Sequence, residues 1–193
     1  MNETDGTSAL KTGEKFTLDQ WRRWPEGERW ELINGVAYTM SPAPRVPHQR
    51  LSRSLSSALD AFLEGKDCEP FYAPVDVFLP KVDPGSSDTV VQPDVFVVCD
   101  PDKIQDDGIH GAPDFVVEVL SDSTAYKDMT AKKELYERSG VREYWIVNPE
   151  SGSVFPYALL DGRYGPTTEI LQGGTVNSIA LPGFIWHATI GTA

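Results

Sequence analysis

A continuous apolar run, FVVEVL at residues 115–120, limits most strongly what this chain can fold into. All but one of its residues are apolar, which is typical of a strand covered on both faces. A helix, predicted from roughly Thr124 to Ser139, and a strand from Glu143 to Val147 follow it directly. We therefore expect an α/β domain with a mixed central sheet flanked by helices. After Ser151 the pattern predicts short antiparallel strands, a β-rich C-terminal part.

One charged residue, Glu118, interrupts this run. An ionised carboxylate inside a core is costly unless it meets a cation, a metal ion or a proton. On a helical projection at about 100° per residue, Asp128 and Lys132 fall inside the apolar arc of the following helix. The sequence therefore predicts that this helix directs a lysine towards Glu118. The remaining members of the arc are Ala125, Met129, Ala131, Leu135 and Tyr136.

A second carboxylate, Asp94, lies on the preceding predicted strand, Val90 to Cys99. If the two strands are neighbours, side chains on one face approach to about 5 Å, so Asp94 and Glu118 could share a divalent cation. Asp114 is four residues from Glu118, a separation of about 13 Å along a strand, so we expect a turn residue there. Carboxylate oxygens with a strand carbonyl and waters suit Mg²⁺ or Mn²⁺.

Two further candidates come from earlier elements. Glu31 lies in a predicted hairpin around Asn34-Gly35, as either a surface strand residue or a third acid of the site. His48 opens the clearest helix, His48 to Glu64, and is either a half-covered structural histidine or a donor facing a phosphate or the carboxylates. Asp128 either orients Lys132 one turn along its helix or caps the structure locally. The next predicted strand runs from Glu69 to Leu79, and residues 100–111 are predicted to form a loop.

The net charge of −12 argues against indiscriminate binding of nucleic acid. A phosphodiesterase would still need cations near its site, and the candidates are Arg45, Arg50, Arg53, Lys127, Lys132 and Lys133. No apolar run is long enough for a membrane span. Residues 1–15 are predicted to be a disordered leader and residues 16–193 a single domain. Cys68 and Cys99 are predicted to be reduced thiols of a cytoplasmic protein.

The chemistry-bearing residues also carry a resemblance. Pro93-Asp94 with Glu118 two residues before Leu120 resembles the PD-(D/E)XK nuclease superfamily, with Leu120 where the usual lysine stands. The stretch from Val116 to Pro149 is similar to the signature of the Uma-two family of restriction endonucleases. The matching residues are Ser121, Asp128, Lys132, Tyr136, Gly140-Val141 and Glu143-Tyr144-Trp145. Upstream, the WPEG turn, the ELINGV hairpin, the histidine that opens the first long helix and QPDV also match, from about Phe16 to Ile185.

This resemblance implies a restriction-endonuclease-like core whose nuclease lysine has moved from strand to helix, with Lys132 at the matching position and Lys133 as the fallback. It implies hydrolysis of DNA phosphodiester bonds with Mg²⁺ or Mn²⁺. Asp94 and Glu118 would bind the metal ion and, with Lys132, form the catalytic set; Glu31, His48 and Asp128 would support it. DNA is the expected partner and a homodimer the expected assembly.

Three alternatives stay open at this point. Glu118 and Lys132 could form only a buried ion pair that fixes strand against helix, which is often close to neutral for stability. The domain could be a non-catalytic module with a nuclease fold that acts by self-association or partner binding, as its acidity favours. The substrate could also be a small phosphodiester or a nucleotide, which needs less basic surface than duplex DNA.

Overall fold

The structure is a computed structural model that describes residues 14–25, 29–40, 43–81, 85, 87–121 and 125–188. Almost all of the predicted leader, residues 1–13, and Thr124, the predicted start of the third helix, therefore lie outside the described residues. Helix α1 is Leu18–Trp21 and α2 is Val46–Leu63. Helix α3 covers residues 125–139 as Ala125–Lys127, a π-helical segment Asp128–Lys132, and Lys133–Ser139. A 3₁₀ turn covers Pro101–Lys103.

The chain also forms fourteen strands in its described part. They are β1 (Trp30–Ile33), β2 (Val36–Thr39), β3 (Glu69–Tyr72), β4 (Val77–Leu79), β5 (Thr89–Val91), β6 (Val95–Val98), β7 (Ile104–Gln105), β8 (Gly108–His110), β9 (Phe115–Val119), β10 (Glu143–Val147), β11 (Val154–Leu160), β12 (Arg163–Tyr164), β13 (Thr175–Asn177) and β14 (Ile185–His187). Their order is β2-β1-β5-β4-β8-β7 in one six-stranded sheet and β12-β11-β10-β9-β6-β3 in another, and β13 pairs with β14. This mixed α/β architecture agrees with the predicted fold class.

The second sheet forms the centre of the molecule because both of its faces are covered. Alternate residues such as Val95, Val117 and Trp145 pack under the leucine face of α2 and the C-terminal hairpin. The intervening residues, such as Phe96 and Tyr144, pack towards the first sheet and α3. Full burial of one large apolar side chain contributes about 1.5–3 kcal/mol, so the covered sheet forms a rigid base for charged groups at its edge.

Local sequence signals set the start of the chain. Thr17 and Gln20 form a capping box that begins α1. The hairpin turns at Asn34 and Gly35, which have φ of 49° and 82°, as an Asn-Gly type I′ turn requires. Among the described residues, no helix combines the length and the apolar character needed to cross a bilayer.

Two predicted strands are each divided between the sheets. The predicted strand Glu69 to Leu79 is β3 in the second sheet and β4 in the first, and Val90 to Cys99 is likewise β5 and β6. Pro74 and Pro93 lie in the two interruptions. Because proline cannot donate to a ladder, the chain leaves one sheet there and enters the other. The predicted loop 100–111 instead contains the 3₁₀ turn and strands β7 and β8.

The prediction of two reduced thiols is wrong, because Cys68 and Cys99 form a disulfide. Strands β3 and β6 are antiparallel, with Glu69 opposite Val98. The next pair outward is therefore Cys68 and Cys99. The sequence analysis did not predict that the strands beside these two cysteines pair with each other.

A buried acid, Glu143 on β10, connects this sheet to the C-terminal hairpin. Its carboxylate accepts hydrogen bonds from the Trp145 indole (2.7 Å), the Ser178 hydroxyl (2.5 Å) and the amides of Ile179 and Ala180 (2.8 Å each). Only 1% of the surface of Glu143 is exposed. Glu143 thus satisfies several buried donors at once.

We expect Glu143→Ala to lower the free energy of unfolding by about 3–4 kcal/mol, because it leaves more than one buried donor without an acceptor. Urea denaturation followed by tryptophan fluorescence measures this. The exposed Glu169 provides a control, and Glu169→Ala should change stability by less than about 0.5 kcal/mol. Equal effects of the two substitutions would contradict the role given to Glu143.

Candidate active site

A cavity of about 850 Å³ opens between the first half of α2, the ends of strands β6 and β9, and α3. All the site residues predicted from the sequence line it, although they come from five separate elements or connections. They are Glu31, His48, Asp94, Glu118, Asp128 and Lys132. The structure therefore brings together the whole predicted set.

The two predicted metal ligands lie opposite each other on neighbouring strands. β6 and β9 are antiparallel, with Val95 opposite Val117, so the next pair is Asp94 and Glu118. Asp94 Oδ2 accepts a hydrogen bond from the Val119 amide at 2.8 Å, which fixes the carboxylate at the end of the sheet. Asp114 instead accepts from the Cys99 amide and pairs with Arg142, as expected of a residue that opens a strand.

The predicted inward lysine is confirmed. Lys132 Nζ lies 2.7 Å from Glu118 Oε1 and 2.7 Å from Glu31 Oε1, and it is 3.9 Å from Asp128 Oδ1. The side chain of Lys132 is only 4% exposed. The fallback residue, Lys133, places its Nζ 4.4 Å from the centre of the Tyr157 ring, outside this cavity.

The π-helical segment Asp128–Lys132 explains how α3 presents both of its charged residues. In a regular α-helix, each step of four residues turns about 40° beyond a full circle, so Asp128, Lys132 and Tyr136 would drift around the axis. The i→i+5 bonds of a π turn accommodate an extra residue and reduce this drift. All three residues are buried. The same change of register exposes Met129, which was wrongly predicted to lie on the apolar arc.

Glu31 reaches the site from the first sheet and is fully buried. Its Oε1 receives Lys132 and the Gln92 amide, and its Oε2 lies 2.5 Å from Lys127 Nζ. Burial alone would raise the pKa of Glu31, but Lys132 and Lys127 outweigh burial and lower this pKa to about 2. Of the two open interpretations of Glu31, the structure supports an acid of the site over a surface strand residue.

The pKa of Glu118 is displaced in the opposite direction. Burial raises the pKa of its carboxyl above the ordinary range, and Lys132 offsets this only in part because other carboxylates lie nearby. Burial would lower the pKa of Lys132, but Glu118 and Glu31 raise it well above the ordinary value, so Lys132 stays charged. Acids of one site with pKa values displaced in opposite directions are typical of functional clusters.

His48 approaches Asp94 from α2. Its Nε2 donates to Asp94 Oδ2 at 3.2 Å, and its Nδ1 lies 3.4 Å from the Ser52 hydroxyl. Burial would lower the pKa of His48, but the hydrogen bond to Asp94 raises it above the ordinary value. His48 is thus a donor to a site carboxylate, one of the two interpretations that the sequence left open.

The sequence analysis missed the part that Tyr136 plays in the site. The Tyr136 hydroxyl donates to Glu118 Oε1 at 2.8 Å, although Tyr136 was predicted to be only part of the apolar arc. Lys127, which was among the predicted basic candidates, pairs with Glu31. The signal for Tyr136 was present in the four-residue spacing of Asp128, Lys132 and Tyr136.

The carboxylates of Asp94 and Glu118 are the kind of oxygen ligand that a hard divalent cation such as Mg²⁺ prefers. The protein contacts of Asp94 fall on Oδ2, and those of Glu118 fall on Oε1. Asp94 Oδ1 and Glu118 Oε2 make no hydrogen bond with a described residue. Within the described ranges, no group of three or more His, Cys, Asp or Glu side chains could hold a metal ion. A bound ion would therefore take two carboxylates and complete its shell with other oxygen atoms, as Mg²⁺ commonly does.

The basic candidates divide between the cavity and the surface away from it. Arg45, Arg53 and Lys127 line the cavity with Lys132. Arg50 does not, although it lies on the same helix as Arg53.

Comparison with known proteins gives a family and a fold. A family model described as "Putative restriction endonuclease" matches residues 18–190. The chain is 29% identical over 155 residues to the uncharacterized protein slr1290 of Synechocystis sp. (strain ATCC 27184 / PCC 6803 / Kazusa), which covers 74% of each protein. A crystal structure described as a "putative nuclease belonging to DUF820" from Anabaena variabilis ATCC 29413 has a TM-score of 0.71 at 19% identity, over 91% of this chain and 95% of that chain. These matches confirm the predicted family and its nuclease-like fold.

Proposed function

Because the chain belongs to the Uma2 family predicted from its sequence, we propose that it is a Mg²⁺- or Mn²⁺-dependent endonuclease that hydrolyses DNA phosphodiester bonds. The single observation that carries this proposal is the convergence of Asp94, Glu118 and Lys132 on one cavity. These residues come from the start of β6, from β9 and from α3. A merely structural ion pair would not require Asp94 at the same position.

Each residue has a definite part in the proposed reaction. Asp94 and Glu118 would hold the ion, which when bound polarises a phosphoryl oxygen and lowers the pKa of a water molecule. Lys132 carries a fixed positive charge at the cavity wall, which offsets the negative charge of the transition state. Glu31 holds Lys132 in place together with Glu118. His48 orients Asp94 through its Nε2.

A second candidate is a non-catalytic module with a nuclease fold. The specific observation in its favour is that Lys132 is already paired with Glu118 and Glu31, in a chain of net charge −12. In this case the cluster would only fix α3 against both sheets. This candidate predicts that divalent cations, if they bind at all, bind with a Kd no lower than the millimolar range.

Metal dependence separates the two candidates. We expect the protein to nick supercoiled plasmid in Mn²⁺ or Mg²⁺, to lose this activity in EDTA, and to regain it when the ion is restored. Titration calorimetry should show Mn²⁺ binding that Glu118→Gln weakens about tenfold or more, because one charged ligand is lost. Nicking that persists in EDTA would contradict the metal dependence of the proposal. The absence of both nicking and Mn²⁺ binding would favour the non-catalytic module.

A homodimer and a cytoplasmic location stay predictions of the sequence. Sedimentation of the purified protein tests the first. The Cys68–Cys99 disulfide bears on the second, because disulfides persist mainly in oxidising compartments.

A further inference from the structure

One face of α2 forms a wall of the cavity. The polar lining residues of α2 and its N-cap follow the spacing i, i+3, i+4, i+7, i+8 and i+11, which places them on a single side of a helix. They are Arg45, His48, Gln49, Ser52, Arg53 and Ser56, and we call them the α2 stripe. The stripe extends about 16 Å at 1.5 Å per residue.

The α2 stripe consists only of residues that can donate hydrogen bonds, and none of them is a carboxylate. This is unusual in a chain of net charge −12. Its members differ in exposure: His48 is buried against Asp94, whereas Arg45 and Arg53, which lie on either side of it, are exposed. A run of donors that leads to a metal-type carboxylate pair is complementary to a chain of phosphodiesters.

The same cavity also has apolar lining residues. Among them are Met40, Ala43, Pro44, Pro47 and Pro149, which we call the apolar wall; Pro47 lies in the first turn of α2, beside the stripe. Apolar and aromatic surfaces bind the faces of nucleic acid bases when these faces are available. In a duplex the base faces are stacked on one another, so only an unpaired nucleotide can use such a wall.

The size of the cavity also favours an unpaired strand over a duplex. Its volume of about 850 Å³ is in the range of sites that enclose small ligands. One strand, or a few nucleotides drawn out of a helix, can enter such a space. Both strands of a duplex would have to remain at its mouth.

We propose that the α2 stripe and the apolar wall form a binding track for an unpaired DNA strand. Phosphates lie against Arg45 and Arg53, and bases lie against the wall. The inference rests on the proposed function for the identity of the ligand as DNA. It adds that the protein acts on single-stranded or locally opened DNA and not on an intact duplex.

The test measures binding without cleavage. A fluorescently labelled 12-nucleotide single strand and the same sequence as a duplex are titrated with the full chain in EDTA, with anisotropy as the readout, at several salt concentrations. We expect the single strand to bind at least about tenfold more tightly. Arg53→Gln should weaken this binding about fivefold to tenfold. It should also reduce the slope of log K against log salt by about 0.7, the contribution of one phosphate contact on a single strand.

Arg50→Gln provides the matched control, because it removes the same charge from the same helix outside the cavity. It should change the affinity less than twofold. Equal loss in both variants, equal affinity for duplex and single strand, or no binding of either DNA would overturn the inference. The proposed function is judged separately: binding that depends on Arg53 without metal-dependent nicking refutes the nuclease and leaves the track standing.

Discussion

Replacement of Lys132 by methionine is expected to lower the free energy of unfolding by about 3–5 kcal/mol. The ammonium group is 2.7 Å from both Glu118 and Glu31, and its side chain is 4% exposed. Methionine fills most of the same volume but removes the charge that compensates the two buried acids. Urea denaturation followed by tryptophan fluorescence measures the loss.

Two further variants decide whether charge is the cause. Lys133→Met removes the neighbouring lysine, whose ammonium group lies 4.4 Å from the centre of the Tyr157 ring, and should cost less than about 1 kcal/mol. The double variant Lys132→Met with Glu118→Gln should recover at least about 1 kcal/mol, because the glutamine is neutral and still accepts from Tyr136. A loss below 1 kcal/mol for Lys132→Met alone would show that the cluster is not held together by this charge.

Asp94→Asn is expected to reduce the rate of metal-dependent plasmid nicking roughly a thousandfold. The amide can still accept a hydrogen bond from Val119, so the fold is retained. It cannot supply the negative charge that helps to hold the ion, and the ion contributes several kcal/mol to catalysis, at 1.36 kcal/mol for each factor of ten. The rate is measured from the conversion of supercoiled to open-circular plasmid in Mn²⁺.

The chain offers a closely matched control in Asp114. Both aspartates follow a proline and precede a strand of the second sheet. Asp114 accepts from the Cys99 amide and pairs with Arg142, away from the cavity. Asp114→Asn should leave the nicking rate within a factor of about two. If Asp94→Asn retained more than a tenth of the activity, or if both variants lost it equally, Asp94 would not be a metal ligand of the active site.

The centre of this site could be predicted from the sequence because Glu118 and Lys132 are charged residues at positions where the local pattern is apolar. Glu118 is a charge in an apolar strand, and Lys132 is a charge on an apolar helical arc, so each required a partner. The antiparallel pairing of β6 with β9 then brought Asp94 opposite Glu118, as expected for neighbouring strands.

The remaining features depend on contacts between distant segments. Glu31 lies on β1, and it meets Lys132 only because the first sheet packs beside α3. The strands that cross between sheets at Pro74 and Pro93 read as continuous, since a single proline is compatible with the edge of a strand. The disulfide required knowledge that β3 pairs with β6. In each case the missing information was which strands are neighbours.

The π-helical segment Asp128–Lys132 has a consequence for how this site can be lost during evolution. Helix α3 holds one residue more than a regular helix would need to span the same distance, and that residue keeps Lys132 and Tyr136 directed at Glu118. A deletion of a single codon here would close the helix into ordinary geometry and rotate both side chains away from the acid. A relative could therefore retain every charged residue of the cluster and still be inert. The geometry of the site therefore depends on the length of this segment as well as on its residue types.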